Sequence, residues 1–574
     1  MKVKAFLPTF LLIGAICVPS LPAQTKTRAT SSVQRLPKSV YGYLSVPSMT
    51  EMKARVEKSL AGQMWKDPEM AEFKAELKKV YEKLADKMKD ETGLELDEVL
   101  DIVSGEVSVA VVAQGNKLGF AAFVDFTGSE SAMETVLDKA DEALRDQEIE
   151  SKQEEFADTE ITVYSKPDSS SKRNIAYFIK DSQIVISNEL AILEGILSRW
   201  DGDDEDSFAG NDTYSYILDR CGANTQTPAM TYFLMPIDLL TKAIQTGAAG
   251  QANMQVGMVV SMLPVLGLNN LKAIGGTSDM GVDGMDSVSR MQLFVQQPAT
   301  GILKIFQLAN TDQTPPEWVG ADATSFMSAN WTVADAYDAV ANLVDTFQPP
   351  GTFAQMIDQA ATDESGPMVH VKKDLIDQLT GQIHVYSDVK DPSQLGSNRT
   401  VVALGCKDND AMRSVLSKLA ESPGFPGESR DFRGVPLIEL PNPQGGEQKM
   451  VLTVANQKLM FGTDVTLVEK VLRGDKDSNP LARSADYKRV AARFPAKTLM
   501  VGYQNQEGTY KGLYDMLRNG EFPALPGNAA QMLDEIDFST LPPFEMIKKY
   551  LPASGSYMVS DKNGAFAETF SLAP

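Results

Sequence analysis

The sequence predicts an α+β protein made of two tandem, diverged copies of one unit, each a mainly antiparallel sheet with helices packed on one face. Three observations carry this. Matching segments recur in the same order in both halves, polar turns join most consecutive strand patterns, and amphipathic helical patterns interleave at corresponding places.

The chain opens with Lys2 and Lys4, an uncharged run from Ala5 to Val18, and the small and helix-breaking residues Pro19 to Ala23. Basic, apolar and small-residue regions in that order are the signature of a secretory signal peptide, here residues 1–23, with cleavage after Ala23 and Ser20 as the alternative. The apolar run is shorter than the roughly 20 residues a membrane span needs. A lipid anchor on Cys17 fits poorly behind Ile16. Polar residues 24–37 read as a flexible leader.

Copy one is expected over 38–313. Its anchor runs from Leu96 through Gly105 into the strand Glu106 to Val109; copy two answers with Lys373 through Gly381 into Gln382 to Val385, the two glycines standing 276 residues apart (381 − 105). Phe120–Val124 corresponds to Thr400–Leu404, and the amphipathic helix Ala132–Lys139 to Ala411–Lys418. Two hairpin strands follow, Ile175–Ile179 and Ile184–Ser187 across Asp181-Ser182, answered by Met450–Val454 and Leu459–Gly462 across Asn456-Gln457. Each leads into a helix, Leu190–Leu197 or Val465–Leu472. A helix bearing Tyr214 or Tyr487 comes next, then the strand Met230–Leu234 or Thr498–Val501. The tails Arg290–Val295 and Ala567–Leu572 also agree. Pro315-Pro316 interrupts between the copies, which places copy two over 320–574. The unit is thus strand, helix pair, two strands, helix, three strands, helices, strand and a last hairpin. Copy one adds the helical stretches Glu51–Leu60 and Pro68–Lys89, the second rich in Lys and Glu and solvent-facing.

Net charge is −23, or −25 once Lys2 and Lys4 leave with the signal. Such acidity argues against nucleic acid or anionic lipid as partners and favours solubility. Hydrophobic content of 43% fits a globular class, and roughly 550 mature residues suffice for two full cores. Cys221 and Cys406 are the cysteines left after signal removal. They fall at non-matching places, so two buried thiols are expected rather than a bridge.

Catalytic motifs are scarce. His370 and His384 both sit in strand patterns with no His, Cys or carboxylate at ligand spacing, and the position matching His384 in copy one is Ser108. Ser169 to Lys172 satisfies SxxK without its partner motifs, and there is no GxSxG elbow, phosphate loop or dinucleotide glycine run. No cofactor is expected. Asp201, Asp203 and Glu205 alternate as in a calcium loop, but Asp206 occupies the place of the turn glycine and copy two has no counterpart, so a solvated loop is favoured. Ala243 to Leu271 is uncharged, with Met254, Met258 and Met262 at i, i+4 spacing. That is either a pliable surface for an apolar ligand or protein partner, or a core helix ended by Pro264; the core reading is favoured. The mature chain has no predicted transmembrane segment.

The strand Tyr43-Leu44-Ser45-Val46-Pro47, the helix start Trp65-Lys66-Asp67-Pro68-Glu69, and the closing Leu541-Pro542-Pro543 with Lys549-Tyr550-Leu551 give the chain its relatives. It resembles a family of exported bacterial proteins known only as a domain of unknown function. The resemblance implies a secreted or periplasmic protein and carries no catalytic residues across.

Three functions remain open from sequence. The first is a non-enzymatic envelope or periplasmic protein that binds or scaffolds. The second is a carrier of an apolar ligand, resting on the methionine-bearing stretch. The third is a hydrolase whose site assembles from scattered carboxylates such as Asp101 and Asp377.

Overall fold

The computed structural model describes residues 31–573, apart from 116, 146–148, 166–174, 203–204, 224–225, 247–256, 258–259, 392–396, 444–447, 475–478 and 521–535. The chain divides into two compact units. Unit 1 comprises the residues up to Gly257 with Lys272–Phe294 and Pro523–Pro542; unit 2 comprises Met258–Leu271, Val295–Phe522 and Pro543–Pro574. The division therefore falls at Phe294 rather than at 313–320, and Phe538 joins unit 1, its ring 5.8 Å from that of Phe73.

The strands of unit 1, most of them marked by period-two alternation of apolar residues, are β1 Val40–Val46, β2 Val107–Gln114, β3 Lys117–Asp125, β4 Glu150–Phe156, β5 Thr159–Ser165, β6 Ile175–Lys180, β7 Gln183–Ser187, β8 Met230–Leu234, β9 Leu271–Met280 and β10 Met285–Val295. They lie in the order β10-β9-β8-β1-β2-β3-β7-β6-β5-β4. Asp181 and Ser182 join β6 to β7 at φ of 51° and 56°, the geometry whose twist suits a two-residue hairpin. Four strands follow β3 where three were expected. The extra one, β4, is a charged edge strand, ESKQEEF, with no apolar alternation to announce it.

The helices of unit 1 are α1 Ser32–Arg35, α2 Met49–Lys58, α3 Leu60–Lys66, α4 Ala71–Thr92, α5 Leu96–Ile102, α6 Glu130–Arg145, α7 Leu190–Leu197, α8 Asp212–Arg220 and α9 Pro236–Gln245. Ser48 caps α2 by accepting from the Glu51 N–H, and Gly93 ends α4 in the left-handed conformation at φ 72°. Helices flank both faces of the sheet, not one. Ile192 of α7 packs over Gly119, where a Cβ would come within 2.7 Å of its Cδ1. Met133 of α6 packs on the opposite face with Phe126, Ile184 and Val124. The cause is in the strands: β3 carries Ala121 and Phe123 on one side and Phe120, Ala122 and Val124 on the other, so both sides need cover.

Unit 2 contains β11 Ser325–Asn330, β12 Leu379–Val389, β13 Asn398–Cys406, β14 Glu428–Phe432, β15 Val435–Leu440, β16 Met450–Ala455, β17 Lys458–Gly462, β18 Met500–Gln504, β19 Ser554–Asp561 and β20 Gly564–Leu572. Its principal helices are α10 Val333–Phe347, α11 Thr352–Thr362, α12 Asn409–Glu421, α13 Val465–Arg473, α14 Ala485–Ala491 and α15 Gln506–Arg518. The strand order is β20-β19-β18-β11-β12-β13-β17-β16-β15-β14, that of unit 1 with each index advanced by ten. Registers agree as well. Ser45 pairs with Ser108 and Thr231, while Ser328 pairs with His384 and Val501. The Leu36 carbonyl accepts from Phe208 N–H, as the Val319 carbonyl does from Leu481 N–H. These ladders match Ser108 with His384, Glu106 with Gln382, Asp125 with Gly405, and Gln183 with Lys458. The strand expected at Thr498–Val501 is β18, two residues later.

The stretch 24–37 is not all a flexible leader. Ser32–Arg35 is helical, Ser32 and Leu36 are fully buried, and Pro37 bridges Ser207; residues 24–30 lie outside the described residues. No helix among the described residues is long and apolar enough to cross a membrane.

Candidate functional site

One group of buried polar residues in unit 1 gathers where α1 meets β1 and β2. Glu106 Oε1 accepts from Ser32 Oγ at 2.6 Å, Ser45 Oγ at 3.0 Å and Tyr43 OH at 3.2 Å; Oε2 accepts from Ser32 N at 2.9 Å and Ser31 Oγ at 3.3 Å. Ser108 Oγ donates to Ser32 Oγ at 2.8 Å. Five donors satisfy a carboxylate completely, so its charge is spent on holding α1 against the sheet. Three residues on, the Arg35 guanidinium lies 3.5 Å over the Trp200 ring, its Nε donating to the Trp200 carbonyl at 3.3 Å and Nη1 to Gln183. Trp200 Nε1 is held by Asp181 at 2.7 Å. Burial lowers the Arg35 pKa, and Asp181 and Glu106 oppose that.

In unit 2, Asp388, Asp464 and Glu568 are buried, and Asp388 is the most enclosed of the three. Arg399 grips it with two parallel bonds of 2.8 and 2.7 Å, and Lys470 Nζ donates to it at 3.1 Å and to Asp322 at 2.6 Å. Tyr386 OH adds 3.3 Å. Asp388 is 2% exposed, and the planar guanidinium fork suits such a buried pair.

The place of the Glu106 knot is filled differently in unit 2. Gln382 takes the position of Glu106 and accepts from Lys458 Nζ; His384 takes that of Ser108, 1% exposed, stacked on Phe326 at 5.9 Å and edge-on to Trp318 at 6.1 Å. Burial, with help from Lys458, pushes the His384 pKa down to about 4, so the ring is neutral at neutral pH, and among the described residues its Nδ1 has no hydrogen-bond partner.

Among the described residues, open clefts occur in both units. One of about 300 Å³ in unit 1 is lined by Lys38, Tyr41, Asn211, Asp238 and Lys242 among others. The other, about 210 Å³ in unit 2, lies between α12 and the β14–β15 hairpin, with Arg413, Glu421 and Ile438.

The residues singled out by sequence are not brought together at either cleft. Asp201 and Glu205 are exposed, and Asp203 lies outside the described residues. Met254 and Met258 also lie outside them, while Met262 is half-buried in unit 2. Among the described residues no group of three or more His, Cys, Asp or Glu is placed to hold a metal ion. Cys221 and Cys406 are free and buried. His370 is not in a strand: it caps the turn Val371–Leu375, its Nδ1 accepting from Lys373 N at 3.3 Å. Asp101 and Asp377 are both exposed; Asp377 pairs with Lys372 at 2.9 Å. Sequence reasoning missed Glu106, Arg35, Asp388 and Lys458. A signal for the first was present, since Glu106 and Gln382 each follow the matched glycine and differ in charge.

Residues 17–295, most of the first half of the chain, match the model of a family described as a protein of unknown function (DUF3352). The Val-Pro strand and the Asp-Pro-Glu helix lie inside that range, whereas Leu541-Pro542-Pro543 lies beyond it. No curated protein matches the chain. Among solved structures, crystal form IV of TP0453 is similar at 12% identity over 44% of this chain and 79% of that one, with a TM-score of 0.22. Crystal form I is similar at 13% identity over 45% and 79%, with the same score.

Proposed function

We propose that the protein is an exported, non-enzymatic binding or scaffolding protein of the bacterial envelope, its two units being diverged copies of one ten-stranded module. The observation that carries this reading is the commitment of the buried carboxylates to architecture. Glu106 receives five hydrogen bonds, and Asp388 accepts from Arg399, Lys470 and Tyr386, so both carboxylates are engaged by interior donors. The charged edge strands β4 and β14 suit a protein that presents faces rather than edges to its surroundings. The test has two parts. Expressed with its leader in a bacterial host, the protein is expected outside the cytoplasm with Gln24 as its first residue. Assayed against generic ester, phosphomonoester, glycoside and peptide substrates, it is expected to show no turnover; turnover abolished by Glu106→Gln or Asp388→Asn sinks the non-enzymatic reading.

A second reading, a carrier of an apolar ligand, is favoured by one sheet face of unit 1. At matched ladder positions unit 1 has Leu234, Tyr232, Val111, Phe120 and Ile274 where unit 2 has Gln504, Gly502, Ser387, Thr400 and Ser554. Leu234 is 39% exposed and its neighbour Leu44 43%. Uptake of a fluorescent fatty acid by the purified protein, lost in Leu234→Gln, is the expected outcome; no uptake by the wild type removes this reading.

A further inference from the structure

In unit 1 a polar contact braces α6 against the β4–β5 hairpin. Tyr164 OH of β5 donates to Asp141 of α6, and the Tyr164 ring stacks on Tyr177 at 6.0 Å. Unit 2 lacks this brace. Met412 of α12 corresponds to Met133 of α6, both buried, so the counterpart of Asp141 is Ala420. The ladders that match Ser108 with His384 continue outward to β5 and β15 and make Leu440 the counterpart of Tyr164. Ala420 and Leu440 have no polar atoms with which to join helix to hairpin, and the cleft of about 210 Å³ lies beside Ala420.

The cleft has an apolar floor and one half-buried cation. Leu416 and Ile438 form the floor, flanked by Ala420 and Pro436. At one end the Phe425 ring lies against Gly427, where a Cβ would collide with the ring and come within 2.8 Å of Ile438 Cγ2. Arg413 stands on the helix wall, one turn before Leu416. Its Nε donates to the Val454 carbonyl at 3.1 Å, and its Nη1 faces Asp410 at 3.4 Å, a carboxylate whose side chain is 90% exposed. Among the described residues Nη2 has no partner. The counterpart of Arg413 in unit 1 is Glu134, so the charge of this wall is reversed between the units. Glu421 also lines the cleft, but eight residues along α12 set it about 12 Å from Arg413 along the helix axis.

We propose that unit 2 binds a small aromatic carboxylate in this cleft, its ring on Leu416 and Ile438 and its carboxylate on the Arg413 guanidinium. Room and charge both support this class of ligand. An apolar cavity of about 150 Å³ holds a benzene ring, so about 210 Å³ holds a ring with a carboxylate attached. Arg413 offers a free N–H edge, and the one carboxylate facing it is solvated, so an incoming anion gains charge-assisted hydrogen bonds without displacing a buried partner. An uncharged ring would leave that edge unused, and a carboxylate without a ring would leave the floor uncovered. The site lies wholly within unit 2 and goes beyond the envelope reading, which stands or falls separately on export and turnover.

The experiment is saturation-transfer NMR on the full mature chain with three probes at equal ionic strength: benzoate, benzyl alcohol, which keeps the ring, and acetate, which keeps the charge. Benzoate is expected to bind saturably and at least about tenfold more tightly than either of the others, the margin that hydrogen bonds to a charged group supply. Ala420→Leu, which fills the cleft from the helix side, is expected to keep its urea midpoint and to weaken benzoate at least about tenfold. Arg413→Met is expected to reduce benzoate to the level of benzyl alcohol. If Arg413→Met fails to fold because the Val454 carbonyl loses its donor, the probe comparison and Ala420→Leu still decide. No saturable benzoate signal, benzoate no tighter than benzyl alcohol or acetate, or an affinity unchanged in folded Ala420→Leu each overturns the proposal.

Discussion

Acid should weaken unit 2 through His384. The folded ring is pushed down to about 4 by burial and by Lys458, whereas in the unfolded chain it titrates at the ordinary value of 6.5. A histidine with a lowered folded pKa binds its proton in the unfolded state first. Its contribution is therefore complete above pH 6.5 and is lost as pH falls toward about 4, below which the loss levels off. The full difference corresponds to about 3 kcal/mol, and the part already lost at pH 5 is about 2 kcal/mol. Because the side chain is 1% exposed, solvent screening does little to reduce this. The assay is urea unfolding of the wild type and His384→Phe between pH 7.5 and 4.5, read by tryptophan fluorescence, to which Trp318, 6.1 Å from the imidazole, contributes as one of four tryptophans. Phenylalanine keeps the stack on Phe326 and cannot titrate. The same carboxylates take up protons in both proteins, so the difference isolates the histidine. Wild type should lose about 2 kcal/mol more than the variant on going to pH 5. Parallel pH curves for the two proteins would refute the reasoning.

Glu106→Gln should destabilise unit 1 by about 1–3 kcal/mol, because the amide NH2 faces Ser31 and Ser32 donors with nothing to accept them; the urea midpoint measures it. Arg399→Met should destabilise unit 2 by about 1–3 kcal/mol, because Asp388 loses both guanidinium bonds and keeps Lys470 and Tyr386; the urea midpoint measures it. A chain beginning at Lys38 loses the donors to Glu106 and the Arg35–Trp200 stack, so limited proteolysis should cleave unit 1 at protease concentrations that leave the full mature chain intact.

Much of the architecture was legible because it is written locally. The two-residue turns Asp181-Ser182 and Asn456-Gln457 separate alternating runs in both halves, and both turns have φ of 51° and 56°. The helix after each hairpin, α7 or α13, ends within a residue of its expected bounds. Edge strands β4 and β14 were harder to place, since residues exposed on both sides show no period-two pattern. The strap before β1 looked like a polar leader for a related reason. Serine and arginine are ordinarily solvated, and only a buried glutamate 74 residues away makes Ser32 an interior residue.

By itself the sequence determined the α+β class and the matching series of elements in the two halves, because periodicity and turn chemistry act over a few residues. The tertiary structure decided which polar residues are interior, that helices cover both sheet faces, and that Lys458 stands over a glycine where the other unit holds an aspartate. Those outcomes depend on residues far apart in the chain. Their energies come from desolvation and convergent hydrogen bonds, which exist only once the strands are in register.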